Sequence, residues 1–463
     1  MANSYLSRTP GSTTDAQRKQ FTISIWVKRS TLGTGGGHQE IVSTNATDQF
    51  GFRFDGDNKL DIFEYSVSGN NYPLRLTTNR LFRDTSAWYN IVLQVDTPNA
   101  TSSNRAKIWV NGVQETSFAT ATYPSQDYTT TWNKNGLHQI GSKAWGNSGN
   151  GSDFFNGYLS HVANVAGSVL APTVFGETDS TSGIWKFKSP SGVTWGTNGF
   201  HLKFESSGNL GLDSSGNSNT FTVGGDGRQA LDTPSNVYAT LNLLDKGSSS
   251  LILKNGNTTV DTGGSDYGVR SALAVNSGKY YWEAKCNTSG NTYGIIDMDV
   301  KLQINIMSGS PTSTGAWGFQ NISSGTKVNT YNNGTFTSYT SGTYDFPNWG
   351  TSDVLGVALD MDNGKIYFSK NGTFYGLDGN SSDPVNQTNP CFTGLTTDGS
   401  KFYGAYTENR APTTNGTLYN FGNGYFGTTA ISSAGSNGNG SLFEYDVPSG
   451  YYALNTKNIN TYG

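Results

Sequence analysis

The stretch Phe21-Thr22-Ile23-Ser24-Ile25-Trp26-Val27-Lys28 decides how the rest of the chain is read. Every odd position is apolar. In an extended backbone, whose side chains alternate between faces, Phe21, Ile23, Ile25 and Val27 therefore turn toward one core. The same period recurs at Tyr89, Ile91, Leu93 and Val95, with Asn90, Gln94 and Asp96 on the opposite face, and again at Ala106, Ile108 and Val110. Asn111-Gly112 follows, a dipeptide favoured in two-residue hairpin turns because both residues tolerate positive φ. Far along the chain the grammar returns. Val354–Asp360 reads as a strand, Asp362-Asn363-Gly364 as a turn, Lys365–Lys370 as the returning strand and Asn371-Gly372 as a second turn. The expectation is an all-β chain built from two antiparallel β-sandwiches.

Composition agrees. At roughly 150 residues per domain, 463 residues make two or three domains. Charged residues are 14%, against about 25% in an average soluble protein. The 24 Phe, 25 Tyr and 10 Trp are too many rings for a disordered chain, and 59 Gly supply turns. The net charge is −4 with no block of Lys or Arg, which excludes nucleic-acid binding through a clustered basic footprint. No apolar run is long enough for a membrane helix, so membrane insertion is not expected. The start, MANSYLSRTP, lacks the basic-then-apolar order of a signal peptide. Cys286 and Cys391 read as buried small hydrophobes rather than a bridge. The expected division is 1–170 for the first sandwich, 171–235 for a connector, 236–425 for the second sandwich and 426–463 for a C-terminal docking tail. The connector should be ordered and packed on the sandwiches, because Phe175, Trp185, Phe187, Trp195 and Phe200 would not be left in water.

Several of these segments are familiar. FTISIWVKR (21–29), WYNIVLQVD (88–96), KIWVNG (107–112) and QIGSKAWGNSGNGSDFFNGYLSHV (139–162), in that order, resemble laminin-G-like and concanavalin-like lectin domains. Gly278-Lys279-Tyr280-Tyr281-Trp282-Glu283, the segment Asp353–Gly372 and Leu418-Tyr419-Asn420-Phe421-Gly422 resemble the opening, core and closing motifs of a SPRY domain. Joined through GIWKFKSPSGVTWGTNGFHLKF and LGLDSSGNSNTFTV, and closed by FEYDVPSGYYALNTKN, the whole resembles virion proteins of tailed bacteriophages, especially marine ones. The resemblance implies jelly-roll, concanavalin-like sandwiches in a non-enzymatic tail fibre or surface appendage that adheres to a host-surface glycan or receptor. The alternatives are a structural head or tail decoration that binds only other virion proteins, and a glycan-active enzyme of the concanavalin fold. It places the chain in the virion, assembled in the bacterial cytoplasm, and suggests a homotrimer. With no heptad or collagen-like shaft, trimerisation would use sandwich faces or the tail. Loss of residues 440–463 is then expected to disturb assembly more than folding.

The chemical motifs are incomplete. A retaining glucanase needs two carboxylates about 5–5.5 Å apart, carried on one strand as E-x-D-x-x-E. Asp61-Ile62-Phe63-Glu64 comes closest, but Lys59 stands at the first Glu; Asp297-Met298-Asp299 has Leu302 at the third position. No catalytic residue is assigned. Asp61 and Glu64 are read as exposed strand residues, and Asp297 and Asp299 as edging a strand or binding a cation. Gly33–Gly37 reads as a hairpin loop, not a phosphate cradle. The laminin-G resemblance makes calcium the one candidate cofactor, with Asp153 in the loop 147–153 and Asp213 as ligands; the competing reading is turn-shaping side chains. For sugar or receptor binding, rings in loop-like stretches are the candidates: Tyr123, Tyr128, Trp132 and Trp145 in the first domain, and Trp317, Tyr344, Phe346 and Trp349 in the second. The competing reading for each is a core ring, since Trp is highly buried on average.

Overall fold

The structure is a computed structural model that describes residues 3–33, 37–145, 152–262, 267–287, 290–303, 306–307, 314–321, 328–338, 344–351, 353–409 and 413–463. The chain divides into two compact units, Met1–Ala230 and Leu231–Gly463.

The first unit pairs two antiparallel sheets. One has eight strands in the order Phe118–Thr122, Asn71–Leu81, Lys59–Ser66, Asp48–Phe54, Gln39–Ala46, Leu137–Ile140, Tyr5–Arg8 and Thr222–Gly224. The other has six: Phe200–Leu202, Gly157–Ala166, Gln20–Arg29, Tyr89–Asp96, Ala106–Val110 and Val113–Glu115. Phe21, Ile23, Ile25 and Val27 face inward beside Ile91, Leu93 and Ile108, against Phe50, Phe52, Leu60, Ile62, Leu74 and Leu76 of the opposite sheet. Asn111 and Gly112 take φ of 49° and 76° and join Val110 to Val113, as the Asn-Gly signal requires.

The outward side chains Thr22, Ser24 and Trp26 are buried as well, which a two-layer sandwich alone does not explain. The cover comes from the segment after residue 170. Phe175, Leu170 and Trp195 pack on Val92, Ala163 and Val165, Phe187 meets Trp26 edge-on at 6.3 Å, and the Trp185 indole donates to Asn90 Oδ1 at 3.1 Å. Of residues 171–235, expected as a connector packed on the sandwiches, 171–230 belong to the first unit: their rings close its outer face, and Phe200–Leu202 and Thr222–Gly224 extend its two sheets.

In the second unit, Leu241–Lys246, Tyr267–Ser271, Tyr403–Asn409, Thr292–Asp297, Ala316–Gln320, Asn329–Asn332 and Thr335–Thr337 form one sheet. Its partner sheet is centred on Thr413–Asn420, Lys279–Cys286, Val354–Asp360 and Lys365–Lys370. Tyr280, Trp282, Val357, Leu359 and Phe368 meet Tyr293, Ile295, Trp317, Phe319 and Tyr403 between the sheets. The second Asn-Gly turn repeats the first, with φ of 49° and 80° at Asn371 and Gly372. Cys391 is a buried free thiol that donates to the Tyr375 carbonyl at 3.0 Å.

The C-terminal segment completes this unit. Phe443, Val447, Tyr451 and Ala453 pack on Tyr281, Ala358 and Tyr367, the outward side chains of the central strands, and Tyr452–Ala453 pairs in parallel with Tyr280–Tyr281. The anchor is Glu283. Its buried carboxylate accepts from the backbone N–H groups of Glu444 and Tyr445, both at 2.9 Å, from Asn420 Nδ2 at 3.2 Å and from the Tyr281 hydroxyl at 3.2 Å. Burial pushes this carboxyl up to about 7 against those donors. The segment expected as a docking tail thus packs on its own unit, where its side chains complete a second apolar layer.

Glu283→Ala strands two backbone donors and an amide away from water, at about 1–3 kcal/mol for each stranded donor. The variant is expected to lower the second unit's melting transition and to expose the 426–463 segment to proteolysis, read by calorimetry and limited digestion. An unchanged melting profile would contradict this role for the segment.

Candidate functional site

Strand alternation gives the eight-stranded sheet an outer face with a different chemistry from its inner one. Leu60, Ile62, Phe52, Leu74 and Leu76 point inward, so Asp61, Phe63, Arg53, Arg75 and Thr77 point outward. Strand register sets two rows. Arg53 lies opposite Glu40 and Asp61, and Asp61 lies opposite Thr77. In the adjoining row, Phe63 lies between Gly51 and Arg75. Gly51 has to be glycine here, because a Cβ would occupy the space taken by the Phe63 ring and the Glu40 carboxyl.

Asp61 is fully buried and fully bonded. Arg53 donates from Nε at 3.2 Å and Nη2 at 3.0 Å, Arg75 from Nε at 3.1 Å and Nη2 at 3.3 Å, and the Thr77 hydroxyl at 2.8 Å. A carboxylate without water needs this many donors. Glu40 is equally buried, but neither carboxyl oxygen has a hydrogen-bond partner. Arg53 Nη1 stands 4.0 Å away, and burial pushes Glu40 up to about 8. Above this floor lie four rings. Phe63 meets Tyr72 at 5.7 Å and Trp145 at 5.8 Å, and Tyr65 meets Tyr72 at 5.0 Å. The Arg53 guanidinium sits 4.4 Å from the Phe63 centroid, that of Arg75 4.8 Å from Tyr72, and the Lys143 ammonium 5.6 Å from Trp145. Tyr72 is exposed and Tyr65 and Trp145 are half-buried, so rings rather than charges meet solvent first.

The structure sorts the candidates read from the sequence. Trp145 belongs to this face. Tyr123 is half-buried against the inner core, and Tyr128 is half-buried with its phenol pushed above the usual range by burial. Trp132 is a core ring whose indole donates to the buried Asn164 at 3.0 Å. In the second unit Trp317 lies in a buried strand, Phe346 stacks on Phe319 at 4.4 Å and Trp349 meets Tyr293 at 5.6 Å, so these three are corrected from loop ligands to core. Tyr344 stays half-buried at the surface. Asp213 is spent on turn bonds, accepting from His201 N, Ser215 N, Ser215 Oγ and Asn219 N. Asp153 pairs with Lys143 at 3.2 Å. Residues 147–151 of the proposed calcium loop lie outside the described residues, as do 34–36 of the glycine-rich loop. Among the described residues no group of three or more His, Cys, Asp or Glu side chains is arranged to hold a metal.

Asp61 and Glu64, expected as exposed, are both buried and on opposite faces of their strand. Three positions apart, they cannot converge as a glucanase pair; Glu64 instead accepts from Thr131 N at 2.7 Å and from the Thr131 hydroxyl. Sequence reading missed Glu40, Arg53, Arg75, Phe63, Tyr65 and Tyr72. A signal was present: Arg53 sits between Phe52 and Phe54, and Arg75 between Leu74 and Leu76, cations on the two strands that flank Lys59–Ser66, at positions that share one face.

Comparison with known families follows this geometry. Residues 2–173 match the model described as the concanavalin A-like lectin/glucanases superfamily, and residues 279–382 match the SPRY domain. The first match lies within the first unit and the second within the second unit. The charged and aromatic face lies within the concanavalin A-like match. Similar solved structures include the SPRY domain of human HERC1 (17% identity, covering 39% of this chain and 96% of that one, TM-score 0.28). The TRIM65 PSpry domain is a second (17%, 39% and 90%, TM-score 0.26). A protein from Bacteroides ovatus assigned as carbohydrate-binding is a third (16%, 50% and 59%, TM-score 0.34). A comparison with curated proteins gives no match.

The first unit also has buried groups that titrate in opposite directions. Burial lowers His138 and His201 to about 4 and His161 to about 3 from 6.5. Burial raises Glu40 and Glu64 from 4.5 to about 8. Unfolding lets the histidines take up protons below pH 6.5, so stability falls as the pH drops from there. Unfolding lets the two carboxyls release protons above pH 4.5, so their contribution falls as pH rises toward 8. The domain should be most stable near pH 6. Glu40→Gln, which mimics the protonated carboxyl, should melt higher than the native chain at about pH 8.5 and equally at about pH 4, below the unfolded carboxyl's titration. Equal melting at both pH values would contradict a buried, neutral Glu40.

Proposed function

We propose that the outer face of the eight-stranded sheet binds carbohydrate, and that the chain is a virion protein of a tailed phage that uses this face to adhere to the host surface. One observation carries the binding reading: the rings Phe63, Tyr65, Tyr72 and Trp145 touch one another over a floor of buried, mutually bonded Arg and Asp side chains. Ring faces stack on the apolar faces of sugars, and fixed polar groups beside them orient hydroxyls. The match of residues 2–173 to a superfamily of lectins and glucanases supports the same class of ligand. The Asp61 carboxylate is occupied by five donors, and Glu64 faces the other way, which favours holding a sugar over cleaving it.

The virion assignment rests on the ordered resemblance of the segments along the whole chain. In this reading the SPRY domain, whose candidate rings Trp317, Phe346 and Trp349 are committed to its core, joins the chain to other virion proteins.

Tyr72→Ala and Trp145→Ala, both at surface-facing rings, are expected to weaken binding in a glycan array by roughly tenfold or more, about 1.4 kcal/mol, without changing the melting profile. Antibody raised against the chain should label tail tips or fibres of purified particles in the electron microscope. Undiminished binding by both variants would sink the site, and unlabelled particles would sink the virion assignment.

A further inference from the structure

The charges of this face do not balance. Arg53 and Arg75 share one carboxylate, Asp61. Lys143 is matched by Asp153. The remaining acid, Glu40, is buried without a hydrogen-bond donor for either oxygen. Burial without donors keeps a carboxyl neutral, and the upward displacement of Glu40 agrees. Among the groups paired within this cluster three cations therefore face two anions, and Asp55 adds a more distant negative charge at Arg75. The two guanidiniums are also not equivalent. Arg53 is enclosed, its side chain 10% exposed, while that of Arg75 is 32% exposed. Arg75 uses Nε and Nη2 on Asp61; among the described residues its Nη1 donates to nothing. Its plane lies against Tyr72, the most open ring of the cluster. Two bonds to Asp61 and the Tyr72 ring hold the guanidinium still, so little freedom is lost when a ligand engages it.

We infer that the glycan bound here is acidic, carrying a uronate carboxylate or a sulfate ester that docks on the free edge of the Arg75 guanidinium while its sugar ring lies over Tyr72 and Trp145. The inference rests on the carbohydrate-binding reading and narrows it to a class. A planar fork with spare N–H donors matches carboxylate and sulfate oxygens, and a fixed cation beside rings rejects nothing neutral but favours the anion. Asp61 is the positioning residue: it touches no ligand and keeps the Arg75 fork aimed.

The test is calorimetric titration of the full chain with four oligosaccharides: oligogalacturonate, its methyl ester, a sulfated galactan oligomer and its desulfated form. The expected result is that at least one acidic oligomer binds at least tenfold more tightly than its own neutral form, and which acid does so separates uronate from sulfate. Arg75→Met should remove that tenfold preference and leave neutral binding within about twofold. If that variant does not fold, the native chain answers alone, since raising salt from about 0.05 M to about 0.5 M should erase the preference. Equal binding of acidic and neutral forms would overturn the acidic class while the carbohydrate reading stands. A preference that survives both Arg75→Met and salt would overturn the role of Arg75. No binding by any of the four would overturn both readings.

Discussion

A β-sandwich buries one face of each sheet, and everything distinctive in this chain follows from what is done with the other faces. Alternation along a strand obliges every second side chain to point away from the shared core. An uncovered outer face must be polar or must be covered. The six-stranded sheet of the first unit is covered by the rings of residues 170–195, and the central sheet of the second by Phe443, Val447, Tyr451 and Ala453. The eight-stranded sheet takes a third course: its outer face carries charged side chains under rings, and Asp61 and Arg53 are taken out of water by bonding to one another while Arg75 keeps an open edge.

That third course costs the most in desolvation, since a buried carboxylate is tolerated only when the fold supplies its donors. Asp61 meets the condition with two guanidiniums and a hydroxyl held on flanking strands, and the geometry is rigid because each partner is fixed by strand register. Glu40 does not meet it and stays protonated. The consequence is functional. A floor whose cations outnumber its anions, roofed by aromatic rings that reach solvent, is prepared for a ligand that is flat, apolar on one face and negatively charged at one edge.

The inner faces were legible in the sequence because they depend only on local alternation: Phe21 to Val27, Tyr89 to Val95 and Ala106 to Val110 could be placed without knowing what they touch. Both Asn-Gly turns were legible for the same reason. The outer faces were not. Trp26 is buried by Phe187, some 160 positions away in the chain, and period-two patterns carry no trace of such a cover. Asp61 looked like an exposed strand residue because a charge buried by cross-strand partners has the same pattern as one in water. Trp132, Phe346 and Trp349 sit in stretches rich in turn residues, yet each finds a core partner in a distant segment. Of the candidate rings, Trp145 alone led to the site, and Asp61 was singled out for a different chemistry.

The claim on which the account turns is that the ligand lies on the outer face of the eight-stranded sheet. A crystal structure of the full chain with a bound acidic oligosaccharide tests it most directly. The account predicts a sugar ring over Tyr72 and Trp145, with an anionic oxygen within hydrogen-bond distance of Arg75 and the Asp61 network unchanged. A sugar seated elsewhere, on the loops around Tyr123 and Tyr128 or on the second unit, with the face of Tyr72 and Arg75 left empty, would contradict it.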